Sequence, residues 1–298
     1  MGIKTSFGCL LLLSVVVGLV PIQTVCAATI YVNNRIGSDA LDGKSSGLLG
    51  AKAGPVRTIR RALRIADSAD IVVLANTGTP YYESIQLFGK RHSGIGIGKF
   101  TIIGNGAVVS GARLVLPKAW RLVGSDLWKL TPWRKGHYQL ILDAKPLPEH
   151  KDVASSADLL KIPPGHWAAW RGSIYFKTKP LESPDLRNYA IAMLSVGLTL
   201  CDVRDVQVIG VTFRHFRLDG INAHDRCRNV VFDDVKSIEN GRAGLVVAGS
   251  SSVRLVKSEL ANNRVHSLMV TERGDAVVDK STFSQPPTVI QTSLEVEE

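Results

Sequence analysis

Cysteine is scarce in this chain, and long apolar runs are nearly absent. It has four cysteines in 298 residues, and two of them, Cys9 and Cys26, lie near the N-terminus. The other two, Cys201 and Cys227, are too few for a disulfide scaffold. An oxidising compartment would let them pair, but two separate thiols is the simpler reading. Cys/His spacing gives no zinc signature. Gly94-Ile-Gly-Ile-Gly98 lacks the lysine and the helix that a phosphate-binding loop needs. Lys/Arg runs are missing although the formal charge is +10. That dispersed excess suits an acidic polysaccharide or envelope surface, and no nucleic-acid partner is expected. Charged residues make up 21% and hydrophobic ones 45%, so disorder over most of the chain is excluded.

The one clear apolar run, Cys9 to Val20, is about 12 residues, short of the ~20 that a membrane-spanning helix needs. Lys4 precedes it, Pro21 breaks it, and Val25-Cys26-Ala27-Ala28 offers small residues for cleavage. That is the layout of a signal peptide over 1–27. The expectation is a protein secreted to an extracellular or periplasmic space, with a single mature domain over 28–298. No membrane span remains after cleavage, and the mature protein is expected to be a monomer.

Residues 205–285 repeat. Segments starting at Asp205, Asn229, Ser252 and Asp275 align at offsets of 24, 23 and 23 residues. Val206, Val230, Val253 and Ala276 share a column, as do Val208, Phe232, Leu255 and Val278. Gly220, Gly244 and Ser267 share another, and Asn240 stands above Asn263. Each unit alternates apolar residues over about three short strands. Such a unit buries its inner face only by stacking on its neighbours. The fold expected is all-β, a right-handed parallel β-helix with an inward asparagine ladder at 240 and 263. Asparagine suits such a column because it tolerates left-handed backbone and can hydrogen-bond backbone or its stacked neighbour. Thr58 to Ala66 reads as a helix capping the coil's open end. Residues 112–190 hold all five tryptophans and eight of the 13 prolines, with no 23-residue period. They read as an excursion packed on the coil's side. Its tryptophans either pack it against the coil or stack on sugar rings.

Tyr31-Val-Asn-Asn-Arg-Ile-Gly-Ser-Asp39, Gly54-Pro-Val-Arg-Thr-Ile59, Ala69-Asp-Ile-Val-Val-Leu74 and Thr79-Pro-Tyr-Tyr-Glu83 follow one another near the N-terminus. Arg171-Gly-Ser-Ile-Tyr-Phe176 comes later, before the repeats. This succession resembles exported β-helix proteins of the pectate-lyase-like superfamily, over residues 29–285. The resemblance implies the fold. That superfamily includes polysaccharide lyases, glycoside hydrolases, epimerases and proteins without known activity, so it selects no reaction. No catalytic motif carries over.

The columns place candidate side chains. His215, Glu239 and Asn262 share an outward column, and Arg217, Gly241 and Arg264 a second. Asp219, Ala243 and His266 form a third, putting Asp219 and His266 two units apart, about 9–10 Å. Arg242 projects between these columns, and His224 with Asp225 follows in the next turn. The expected catalytic set is Arg217, Asp219, Arg242 and His266. His215, Glu239, His224 and Arg264 are expected to bind substrate. Arginine grips a carboxylate or sulfate with two hydrogen bonds and stabilises charge developing on a sugar carbon. Histidine moves the proton. A hydrolase would use paired carboxylates from Asp219, Asp225 and Glu239. The competing reading is a solvated face of charged side chains. Asp233-Asp234 with Asp202 and Asp205 raises calcium, but the spacing matches no known loop, and no cofactor is expected.

The function expected is binding or processing of an anionic polysaccharide or cell-envelope glycan, by a lyase or hydrolase if by an enzyme. The alternatives are a non-catalytic adhesion module and an inactive truncated relative of a longer polysaccharide-degrading enzyme.

Overall fold

The structure, a computed structural model, describes residues 27–96, 98–290 and, for the backbone, 293–297. Of the expected signal peptide only Ala27 falls within that range.

Three ladders of parallel strands wind into a right-handed β-helix. The first holds eight strands, from Thr29–Val32 through Ile71–Leu74, Phe100–Ile103 and Arg204–Ile209 to Ser293–Glu297. The second holds five, from Val108–Ser110 through Thr212–Arg214 to Thr282–Phe283. The third holds six, from Ile85–Phe88 through Val196–Cys201 and Asp219–Asp225 to Thr288–Ile290. Register follows the sequence columns: Val206 pairs Val230, Val230 pairs Val253, and Val253 pairs Ala276. Val206, Val208, Val230 and Phe232 are fully buried, so alternation in sequence has become inside and outside.

The asparagine ladder is present. Asn240 and Asn263 are buried, and Asn240 Nδ2 donates to Asn263 Oδ1 at 3.0 Å. The side-chain oxygens also accept from the backbone one rung earlier, Phe216 N at 3.1 Å and Asn240 N at 3.0 Å. The left-handed residues, however, sit one position before the asparagines: His215, Glu239 and Asn262 have φ of 60°, 56° and 54°. Asparagine is here for its amide and not for its backbone tolerance. Gly220 exists to make room for this ladder. A Cβ there would lie 1.9 Å from Ser237 Oγ and 2.7 Å from Asn240 Nδ2. A second ladder, of serines, supports the turn between the first two strands of each unit. Ser258 Oγ accepts from Val235 N, and Ser281 Oγ from Ser258 N, both at 3.0 Å.

The N-terminal end is covered by α1 (Ile59–Ile65), which buries Ile59, Ala62 and Leu63. Thr58 caps it by accepting from Arg61 N. Glu83 accepts from Ile59 N and Arg60 N at 2.9 and 3.0 Å, so the acid closing the Tyr-Tyr-Glu segment is a helix cap.

The excursion is a small antiparallel sandwich. One sheet joins Ala112–Leu114, Leu140–Leu142, Lys145–Pro146 and Tyr189–Ala192; the other joins Trp120–Leu122, Leu127–Leu130, Trp167–Trp170 and Ser173–Lys177. Both contribute to one core that includes Trp120, Leu140, Trp167, Phe176 and Tyr189. The chain leaves the second ladder at Ser110 and enters the third at Val196. The sandwich therefore replaces one turn between those ladders, and its roots touch: Gly111 O accepts from Met193 N and Leu194 N.

Candidate functional site

Later coils fill that same turn position with 215–218, 239–242 and 262–265. The sandwich therefore lies against the very columns that carry the candidate residues. Arg217 Nη1 donates to Lys135 O at 3.0 Å, and its Nη2 to Ser195 Oγ at 3.2 Å. Burial, then nearby Arg134, lowers its pKa. Arg264 reaches Tyr138 O at 3.0 Å and grips both oxygens of Glu149, at 2.7 and 2.6 Å. Gly241 lies between them and bonds His137 Nδ1 through its carbonyl at 3.2 Å. A Cβ at Gly241 would come within 2.3 Å of Arg217 O and 3.0 Å of His137 O. The Arg217/Gly241/Arg264 column is the seam that holds the sandwich to the coil.

Asp219 is fully buried rather than presented to solvent. Arg242 Nε and Nη2 take one carboxylate oxygen each, at 2.8 and 2.5 Å, and Asn222 Nδ2 donates at 3.1 Å. The hydrogen bond to Asp219 raises the Arg242 pKa against the opposing effect of burial. His266, expected to be oriented by Asp219, meets Thr288 Oγ1 at 3.0 Å instead. His224 is exposed five residues further along the strand, about 16 Å away at ~3.3 Å per residue, beside Asp225 and Glu272. His224 thus stands apart from Arg217, Asp219, Arg242 and His266 at the start of the strands.

His215 and Glu239 do come together. His215 is 2% exposed, and its Nε2 lies 3.0 Å from Glu239 Oε2. The ring lines a cavity of about 210 Å³ at the root of the sandwich, with Arg214, Tyr82, Ser110, Asp143 and Asn188. Arg214 Nε is buried there without a hydrogen-bond partner. Sequence reasoning passed over Arg214. Its signal was its place directly before His215, at the end of a strand whose inward residue is Phe213. Asp143 is exposed and pairs with Arg187 at 3.0 Å.

With Nε2 turned to Glu239, Nδ1 is the remaining nitrogen of the His215 ring. Glu149, a half-buried acid at the seam, has its pKa raised by burial, although Arg264 opposes this. Trp120 and Trp167 pack inside the sandwich, while Trp133 is 72% exposed with the Arg134 guanidinium 4.4 Å from its ring centre. Cys201 and Cys227 are free thiols. Of the calcium candidates, Asp202 pairs with Arg226 and Asp205 accepts from Asn229. Among the described residues no cluster of three His, Cys, Asp or Glu side chains could hold a metal.

No protein-family model matches the chain, and no curated protein sequence does. Solved structures similar in fold include two carbohydrate-related ones. The complex of XylC with xylose superposes with a TM-score of 0.57 at 11% identity, over 90% of this chain and 65% of that one. A glycoside hydrolase gives a TM-score of 0.61 at 10% identity, over 87% and 73%. The chain thus spans about two thirds of the length of the first. At such identities the likeness shows the β-helix fold.

Proposed function

We propose that this is an exported protein that binds an anionic polysaccharide in the cavity between sandwich and coil and cleaves it by elimination. The carrying observation is buried His215, paired with half-buried Glu239 and lining that cavity beside the unpartnered Arg214 Nε. Arg214 would pair with a uronate carboxylate, where a bidentate contact both binds and stabilises charge. His215, held by Glu239, would take the C5 proton on Nδ1. The electron pair left on C5 forms the C4–C5 double bond, and the glycosidic oxygen leaves C4, taking a proton from solvent. The fold shared with glycoside hydrolases, and the resemblance to the pectate-lyase-like superfamily, support a carbohydrate substrate. The leader sequence supports export.

Hydrolysis is the second reading, because burial raises Glu149 as it does a general acid. Against it, Asp219, Glu149 and Glu239 each already have a basic partner. The test is a panel of polygalacturonate, alginate and xylan, assayed for both unsaturated product and new reducing ends. Elimination gives both from a uronate polymer, and His215→Gln lowers the rate by about 10²–10⁴-fold. Reducing ends without unsaturation would move the assignment to hydrolysis. Binding without either product would leave an adhesion role.

A further inference from the structure

We propose that a second anion site crosses the N-terminal edge of the coil and takes an extended acidic polysaccharide through its carboxylate groups. It uses none of the residues of the sandwich cavity. Arg60 and Arg64 lie one turn apart on α1 and project into one surface cavity of about 480 Å³, which Arg91 also lines. Arg91 belongs to the short 3-10 turn Lys90–His92. On the other flank of that turn, Lys90 joins Arg204 and Arg228 around a second cavity of about 390 Å³. The two cavities make one basic track, from the capping helix onto the first ladder.

Among the described residues, none of Arg60, Arg64, Arg204 and Arg228 makes an ion pair. Asp39 and Glu83 stand beside Arg60 and Arg64, but their oxygens are taken up by backbone amides at the start of the helix. Asp39 accepts from Arg57 N and Thr58 N, and Glu83 from the first amides of the helix. Asp202, which lines the second cavity, is paired with Arg226 at its wall, and leaves Lys90, Arg204 and Arg228 in excess there. Arg204 and Arg228 are register partners on adjacent strands, which places two like charges about 4.8 Å apart along the backbone ladder. Like charges so placed repel, and an anion between them turns that cost into attraction. Two cations one strand spacing apart, with Lys90 and Arg91 between them and the helix, suit a polymer with one carboxylate per sugar. Guanidinium groups match carboxylates in two-point geometry. No Trp, Tyr or Phe lines either cavity, so the stacking platform used by single-stranded nucleic acid is missing.

Binding of size-defined polygalacturonate would be measured by calorimetry in a His215→Gln background, so that the polymer is not consumed. Arg60→Gln/Arg64→Gln and Arg204→Gln/Arg228→Gln are changed singly as pairs and then together; all four positions are exposed. The combined variant should bind about tenfold or more weakly at moderate salt, with a shallower salt dependence. In the His215 protein, the four changes should leave turnover of short oligouronates intact, which separates this site from the cavity. Unchanged polygalacturonate affinity, an equal loss of affinity for neutral xylan, or tighter binding of duplex DNA than of polyuronate would overturn the proposal.

Discussion

Three buried residues, two polar and one glycine, show how single positions hold this coil. Asn263 accepts from Asn240 N and Nδ2 and donates to Ser237 O at 2.9 Å. Leucine in its place would leave those backbone groups buried and unpaired, so Asn263→Leu should lower unfolding stability by about 1–3 kcal/mol in urea titrations. A wild-type midpoint would mean that the amides find water instead. Gly220 faces the same ladder, and alanine there meets the Ser237 hydroxyl and the Asn240 amide at once, with no flexible chain to yield. Asp219 is a fully buried carboxylate whose charge is met by Arg242. Arg242→Ala strands that charge and should cost about 3–5 kcal/mol. The paired change Asp219→Asn with Arg242→Gln should recover part of the loss. If the single variant were neutral, Asp219 would have to be reached by water.

At the scale of elements, the cap has an acid-sensitive joint. His92 Nδ1 accepts from Phe88 N, and Nε2 meets Leu63 O on α1, both at 3.0 Å. That arrangement needs the neutral ring, and burial lowers the His92 pKa below the ordinary imidazole value. A depressed histidine contributes stability that is present above the unfolded value, about 6.5, and is lost as pH falls toward the folded one. Melting temperature should therefore fall between about pH 7 and pH 5 more steeply in the wild type than in His92→Gln; parallel curves would exclude the joint. The coil itself was legible in sequence because its period is fixed: Val206, Val230 and Val253 share a column whatever the turns do. Turn geometry was less legible, since an alignment of columns carries no φ, and the left-handed position fell on Glu239 rather than Asn240. The serine pair at 258 and 281, though 23 residues apart, passed as ordinary turn residues. The seam was legible only in part. The excursion returns to the coil at about Ala190, just before these units, which points to its lying beside Arg217. That Arg217 and Arg264 hold it through the carbonyls of Lys135 and Tyr138 is not in the 23-residue pattern. Arg264→Ala should loosen that cover. Amide exchange across 115–188 should quicken while Val230 and Val253 stay protected.

The whole molecule is a one-dimensional stack carrying one inserted body, and the manner of insertion makes a strong expectation. Each coil contacts only its neighbours, so its stability rests on nearest-neighbour interfaces. The sandwich has its own core, separate from that of the coil. It enters and leaves through one turn, where Gly111 O accepts from the amides of Met193 and Leu194. Removing 113–193 joins Ala112 to Leu194. That leaves Gly111, Ala112, Leu194 and Ser195 between Ser110 and Val196. Four residues also separate Arg214 from Asp219 one coil later: His215, Phe216, Arg217 and Leu218. The shortened turn thus matches a turn the coil already makes, between strands whose register Val109 and Leu198 share with Phe213 and Ile221. The deletion variant should be folded, with a β-type circular dichroism spectrum and a cooperative melt. It should lose the cavity that His215 and Arg214 line together with Leu114, Ile141 and Asn188, and with it all turnover of uronate polymers. Its basic N-terminal track should still bind polygalacturonate. A variant that fails to melt cooperatively would show that the sandwich is needed to build the coil, and its separate core would then be a consequence of docking rather than a sign of independence.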